Sequence, residues 1–299
     1  MLEEFKNAFQ RHNNAHIQLI IINLMMFVVL GVIMVISKIG GFEELFSVIH
    51  DQFQIPARFS VFVTRPWTIL TYMFMHDLTG ILHILFNMLV LYWFGRLFVE
   101  YLGSDKLIAL YLLGGLAGGI AYLLAYNTIP FFVTQSQTFS IGMVGASASV
   151  DAIVVATATL LPNYTFYLLF FGPVKIKYIA AITIFLSFLG TIGSNAGGNI
   201  AHLGGALMGF LYLKQLQTGI NWGSWITVTL DWFKDLFKEK PKVKVSYRKE
   251  RPTTSKAHPV NQPGFTQEEI DRILDKISAG GYESLTKEEK EKLFNASKK

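Results

Sequence analysis

Six stretches of this chain are too apolar, and too long, to be left in water. They run over about 17–37, 83–99, 107–128, 141–161, 178–192 and 200–213, and a helix needs about 20 mostly apolar residues to cross the hydrocarbon core of a bilayer. The first run is uncharged throughout and follows Glu3, Glu4, Lys6 and Arg11. It lacks the small-residue cleavage pattern of a secretory signal, so it is expected to remain as an anchor. The last two runs are short and flanked by glycine, which leaves their ends the least defined. Composition agrees with a membrane body, since 52% of residues are hydrophobic and 16% charged, too apolar a balance for an ordinary soluble domain. Charge is also segregated. Of the 26 Lys and Arg, 17 lie at or after Lys214, with 12 of the 21 acidic residues, so the tail carries the whole net charge of +5.

The expectation is an all-α polytopic membrane protein with a small soluble helical tail. Its parts are an N-terminus over 1–16, a six-helix membrane domain over 17–216, an interfacial amphipathic helix over 217–240, a disordered basic linker over 241–264 and a small helical hairpin over 265–299. Basic residues favour the inner side of a membrane. Lys6 and Arg11, Arg96 and Lys106, Lys175 and Lys177, and the basic tail fall in alternate connections. Both termini are therefore expected to be cytoplasmic in a plasma (inner) membrane, and spans two, four and six should all start at the outer face.

The connection between the first two spans is long for a loop without a task. Phe42, Leu45, Phe46, Ile49 and Phe53 recur at helical spacing in it, which predicts an amphipathic element, either partly embedded in the bilayer or packed on the outer surface.

An unpaired polar group in lipid costs several kcal/mol, so the polar residues inside apolar spans are the informative ones. HILFN at 83–87, GASAS at 145–149 and NIAHLGG at 199–205 each stand near the start of an outward-starting span. Ser147, His202, His83 and Asn87 are thus expected at one depth. A serine hydroxyl becomes a nucleophile when a base takes its proton, and histidine is the usual base; Ser147 and His202 supply that pair. The oxyanion that forms needs preorganised donors. His83 and Asn87, four residues apart on one helical face, are candidates, with the backbone N–H of Ser147 as a third. Taken singly, a transmembrane serine more often bonds a backbone carbonyl, and His202 could be a proton relay or an interhelical partner.

Other intramembrane chemistries lack their residues. No HExxH is present for a zinc protease, Asp151 alone among the acidic residues lies well inside a span whereas an aspartyl mechanism needs two, and there is no cysteine. Neither a metal nor another cofactor is expected. Small residues offer close helix packing: Gly205 and Gly209 form GxxxG on the face of His202, and Ala148, Ala152 and Ala156 recur every four residues, faces that let two backbones approach.

Over about residues 65–215 the order HxxxN, GxSx, AHxxG resembles the rhomboid family of intramembrane serine proteases. The stretch FMHDLTGILHILFN at 74–87, with His76 as an additional histidine, is similar to the family's junction of first loop and second helix, and LGSDKL at 102–107 to the turn after that helix. The resemblance implies a six-transmembrane-helix rhomboid-like bundle and a Ser–His dyad. It also implies an outer water-filled cavity and cleavage of membrane-anchored protein substrates near the outer surface. Ser147 matches the nucleophile, His202 the base, and His83 and Asn87 the oxyanion donors, with Gly145 as an auxiliary position of the motif. Three positions depart from the pattern. Ala148 stands where glycine is usual, Asp151 where an aromatic is usual, and the Trp–Arg pair of the first loop appears in reverse as Arg65–Pro66–Trp67.

Asp151 lies one turn from Ser147, so its carboxylate could accept from the His202 ring and hold its tautomer as the third member of a triad does. The plainer alternative is a protonated carboxyl bonded to a backbone carbonyl. The departures also motivate a catalytically silent binder of transmembrane clients. A transporter using His202 and Asp151 would call for inverted repeats, and none is visible.

In the tail, Trp222, Trp225, Leu230, Trp232, Phe233, Leu236 and Phe237 interleave with Lys234, Lys238 and Lys240, the composition of an interfacial helix. The basic linker suits anionic lipid better than nucleic acid, for which no binding motif is present. Thr266 with Glu269 and Thr286 with Glu289 predict two capping boxes, each opening a short helix. Ile270, Ile273, Leu274 and Ile277 would line the first, and Leu293 and Phe294 the second. The hairpin is too small for a large core, so it is expected either to dock on a cytoplasmic partner or to remain marginal.

Overall fold

The computed structural model describes residues 13–138, 141–168, 171–237 and 267–297, and the chain divides into two compact units, Met1–Glu239 and Lys240–Lys299. In the first unit six helices correspond to the six apolar runs: α1 (Ala15–Ile39), α5 (Ile81–Leu102), α6 (Ser104–Thr128), α8 (Ser147–Leu160), α9 (Ile176–Gly190) and α10 (Ala196–Gln217). Between α1 and α5 lie α2 (Glu43–Asp51), β1 (Ile55–Pro56), α3 (Phe59–Phe62), α4 (Thr68–Thr71) and a 3-10 turn, Tyr72–Phe74. The remaining elements are α7 (Pro130–Thr138), β2 (Gly142–Met143), the strands β3 (Thr165–Leu168) and β4 (Gly172–Lys175), and α11 (Ser224–Phe237). The chain is an all-α membrane protein. Among the described residues α1, α5 and α6 are long and apolar enough to cross a membrane, and α8 and α9 are shorter apolar helices.

The fourth run differs from expectation. Helix was predicted over 141–161, yet α8 begins only at Ser147. Two glycines interrupt the preceding segment, and Gly145 sits at φ +142°, a backbone region open to glycine. That segment has partners elsewhere: β2 pairs antiparallel with β1 in the register Ile55↔Met143 and Pro56↔Gly142, Ala57 N donates to Ile141 O at 3.0 Å, and Gly145 N donates to Tyr72 O at 3.0 Å. Non-helical backbone at membrane depth survives only where protein satisfies its polar groups, and the first loop does so here. With 14 residues at 1.5 Å each, α8 is about 21 Å long. It is too short to cross a bilayer alone, so its N-terminus lies inside the protein.

α8 is the centre of the bundle. Eleven of its 14 residues are buried, clasped between α10 and α6. A side chain on Gly205 would meet Ala148 O within 2.0 Å and one on Gly209 would meet Ala152 O within 2.1 Å, so the predicted GxxxG face of α10 lies directly on the Ala148 and Ala152 backbone. The other side was not anticipated. Gly114 and Gly118 of α6 stand so close that added Cβ atoms would lie 2.4 Å from Ala152 Cβ and 2.6 Å from Ala148 Cβ.

Buried polar groups tie the outer elements to this core. Asn23 Nδ2 of α1 donates to Tyr111 OH of α6 at 3.0 Å, which donates to Met73 O of the 3-10 turn at 2.7 Å, while Tyr72 OH donates to Gly115 O at 2.5 Å. The predicted amphipathic element is α2, with Phe42, Leu45 and Val48 exposed. Its C-terminal end is clamped by the reversed pair: Arg65 donates to Asp51 O and Trp67 Nε1 to Gln52 O at 2.8 Å.

In the second unit α12 (Gln267–Gly280) and α13 (Lys287–Ser297) flank a 3-10 turn, Tyr282–Ser284, with Ile273 and Leu285 buried between them. Of the two predicted capping boxes, Thr286 with Glu289 is formed reciprocally, Thr286 N donating to Glu289 Oε2 at 2.7 Å and Glu289 N to Thr286 Oγ1 at 3.3 Å. The box at Thr266 and the linker over 241–264 lie outside the described residues. α11 occupies part of the predicted interfacial segment, with Trp225, Val228, Trp232, Phe233 and Leu236 exposed and Ile226 buried.

Candidate active site

The N-terminal parts of α5, α8 and α10 bring the predicted polar residues together. Ser147 is the first residue of α8 and His202 lies in the second turn of α10; the glycine contact at Gly205 draws those helices close enough for their side chains to meet. His202 Nε2 stands 2.6 Å from Ser147 Oγ, a separation at which the ring nitrogen can take the hydroxyl proton. The opposite ring nitrogen, Nδ1, faces two oxygens: Ser187 Oγ of α9 at 3.3 Å and Asp151 Oδ2 of α8 at 3.5 Å. Asp151 reaches it because four residues place it one turn below Ser147 on the same face.

Gly145 is where backbone comes closest to this chemistry. A Cβ there would lie 3.3 Å from Ser147 Oγ and 3.8 Å from His83 Cε1, so the absence of a side chain leaves a space bordered by serine and imidazole. The first-turn N–H groups of α8, from Ser147 onward, have no carbonyl of their own helix to bind and favour negative charge. The Ala148 methyl, at the position where the family usually has glycine, points at Gly118 of α6, where glycine makes room for it.

Asn87 lines the same cavity but its amide is engaged: Nδ2 donates to His83 O at 2.9 Å, within its own helix. The cavity, about 230 Å³, runs between α5 and α9, where Phe86, Val90 and Phe94 face Ile179 and Thr183, with Ser147, Asp151 and His202 at its base. A larger cavity of about 670 Å³ borders His83 from the loop side and includes His50, Asp77 and Asn195, supplying the polar walls that water needs.

His76, the additional histidine before α5, is buried, and neither ring nitrogen has a hydrogen-bond partner. Its ring meets His83 edge-on at 5.9 Å. Burial, and secondarily the neighbouring His83, lower its pKa to about 4, so it packs behind His83 as a neutral ring. Among the described residues no group of three or more His, Asp or Glu is placed to hold a metal ion.

Sequence reasoning missed Ser187, which lies alone among the large apolar residues of α9, and the Gly114 and Gly118 face of α6. The doubled spacing in GGLAGG was a usable signal for that face. Nothing in the sequence pointed to Ser187.

A family model described as the Rhomboid domain matches residues 63–217, and one described as a family of unknown function (DUF6576) matches residues 265–299. The chain is 34% identical over 165 residues to RHOMBOID-like protein 12, mitochondrial, of Arabidopsis thaliana, covering 52% of this chain and 48% of that protein. It is 31% identical over 165 residues to RHOMBOID-like protein 6, mitochondrial, of the same plant, covering 51% and 46%. To Presenilin-associated rhomboid-like protein A, mitochondrial, of Danio rerio, it is 28% identical over 138 residues, covering 45% and 34%. The chain thus spans less than half the length of these curated relatives.

Proposed function

Because this chain belongs to the rhomboid family, we propose that it is an intramembrane serine endopeptidase that cleaves membrane-anchored protein substrates with Ser147 and His202. The observation that carries the reading is the 2.6 Å approach of His202 Nε2 to Ser147 Oγ at the base of a cavity reached from between two helices. An extended segment of a client enters between α5 and α9. Ser147 Oγ attacks the scissile carbonyl carbon and its proton passes to His202 Nε2. The oxyanion is received by the Ser147 N–H and by His83, and Asn87 joins once its amide leaves His83 O. One such donor contributes about 100- to 1,000-fold in rate. His202 then protonates the leaving amine, and water from the polar cavity beside His83 releases the acyl group. The rhomboid resemblance implies a small residue at the cleaved position.

The lipid bilayer is the medium and transmembrane proteins are the partners; no nucleic acid is involved. The Lys and Arg pattern supports both termini on the cytoplasmic side; the membrane proposed is a bacterial-type plasma membrane, while the relatives' names locate those proteins in mitochondria. The hairpin is assigned to a cytoplasmic partner, since Leu274 of its apolar stripe is exposed.

Labelling of the detergent-purified chain with a fluorescent fluorophosphonate tests the reading. Wild type should react, and Ser147→Ala and His202→Ala should not. A folded wild type that stays unlabelled would replace the protease with a silent binder of transmembrane clients.

A further inference from the structure

We propose that Asp151 completes a three-membered relay with His202 and Ser147, and that Ser187 of α9 is the second acceptor for the same imidazole. This rests on the serine-protease reading and goes beyond a dyad. For Nε2 to accept the serine proton it must be the unprotonated ring nitrogen, so the ring proton must sit on Nδ1. Around Nδ1, Ser187 Oγ lies at hydrogen-bond distance, 3.3 Å, and Asp151 Oδ2 at ion-pair distance, 3.5 Å, from where a small closure brings it to accept the proton. A backbone carbonyl would have offered Asp151 a different use, as a neutral donor. Among the described residues His202 is instead the polar partner its carboxyl faces.

Other groups around the ring do not substitute for this carboxylate. α8 contributes Ser147 and Asp151, and α9 contributes the Ser187 hydroxyl. α5 contributes His83, the other titratable group near the imidazole. α6, packed against α10 through Ala117, Ala121 and Gly118, brings backbone and methyl groups. Asp151 is buried, and charge acts strongly in such surroundings. When Ser147 Oγ forms its bond to the carbonyl carbon, the proton moves to Nε2, and the resulting imidazolium faces a negative oxygen across Nδ1. Asp151 accepts no proton in this step and acts on the reacting atoms through His202, so it is a positioning residue. The Nδ1 contacts are longer than an ideal hydrogen bond, as such contacts often are before substrate closes the site.

The test has two independent arms. In the first, fluorophosphonate labelling rates are followed against pH for wild type, Asp151→Asn, Asp151→Glu and Ser187→Ala, with melting temperature measured in parallel. Asp151→Asn removes the charge at constant shape and should slow labelling about 100- to 10,000-fold, with the acid limb of the profile moved to lower pH because the imidazolium has lost its counter-charge. Asp151→Glu should recover part of the rate, and Ser187→Ala should cost only a few-fold. A rate for Asp151→Asn within about threefold of wild type, with an unmoved acid limb, would overturn the proposal and leave the protease intact.

The second arm needs no activity. Nitrogen-15 histidine spectra of the full chain should show His202 protonated on Nδ1 in wild type and a mixture of tautomers in Asp151→Asn. Nε2 protonation in wild type overturns the proposal without any variant, which covers the case of a variant that fails to fold. A tautomer shift in protein that never reacts with fluorophosphonate would keep the positioning role and remove the protease.

Discussion

α8 and α9 are both short apolar helices that hold a polar side chain against His202, yet they are built in opposite ways. α8 is rich in Ala, Ser, Val and Thr and buries eleven residues; α9 is rich in Ile, Leu and Phe and buries three, Ile176, Ala180 and Ser187. In water the more hydrophobic helix would be the core. In a bilayer the lipid is as apolar as leucine, so large side chains gain nothing by turning inward. Helices are buried where small residues let backbones touch. The helix that carries Ser147 is the small-residue one, and the helix that closes the cavity rests on it with a lightly buried face.

The sharpest break of this contrast is Gly205→Leu. The added side chain would have to occupy the position of Ala148 O. The substitution should part α10 from α8 and abolish fluorophosphonate labelling, with a destabilisation above the roughly 1–3 kcal/mol usual for overpacking, seen as lower folded yield and melting temperature. Gly145→Val comes next. At φ +142° a β-branched residue is strained, by about 1–3 kcal/mol, and its side chain would enter the space beside Ser147 Oγ; labelling should fall by about 100-fold or more while the helical content stays. Wild-type rates for either variant would show that the close approach is dispensable.

Tyr72→Phe is milder. It removes the hydroxyl that donates to Gly115 O and should cost about 1 kcal/mol, read as a drop of a few degrees in melting temperature with labelling retained. In the hairpin, where water surrounds the helices, charge does what glycine faces do in the membrane. The Thr286 backbone N–H, followed by Lys276, holds the Glu289 carboxyl down to about 2. Since the folded-state value lies below the ordinary one, this contribution is fully present above about pH 4.5 and is lost as pH falls toward 2. Backbone chemical shifts over 287–297 in the full chain should show α13 fraying in that window, and Glu289→Gln should flatten the pH response. The smallest effect belongs to α9: Phe185→Ala, at a position 59% exposed within the protein, should change stability by less than about 0.5 kcal/mol. A large loss there would mean that this face is covered by protein rather than lipid.

Much of this was legible in the sequence because the bilayer leaves few options. Apolar runs marked six helices, polar residues inside them marked Ser147, His202, His83, Asn87 and Asp151, and GxxxG marked the α10 face that meets α8. Legibility failed where a partner distant in sequence was needed. The start of α8 was placed six residues early because the strand pairing of 142–143 with 55–56 cannot be inferred from the apolarity of either segment. The engagement of Asn87 with its own helix was equally hidden, since a side chain that suits a distant oxyanion also suits a carbonyl four residues back. Ala148 was visible only as a departure from the usual glycine, and the location of Gly118 shows where its methyl goes.

By itself the sequence determined the membrane class, the six apolar helices and which polar residues gather at one depth, Ser147 and His202 among them, because hydrocarbon length and the rarity of polar groups in lipid act on the chain locally. Tertiary structure alone decided that α6 and α10 clasp α8 from two sides. It also decided that the first loop satisfies the backbone ahead of Ser147, and that Asp151 and Ser187 share one imidazole nitrogen. Each of these depends on tenths of an ångström between segments tens of residues apart, distances that packing sets and that no periodicity in the chain encodes.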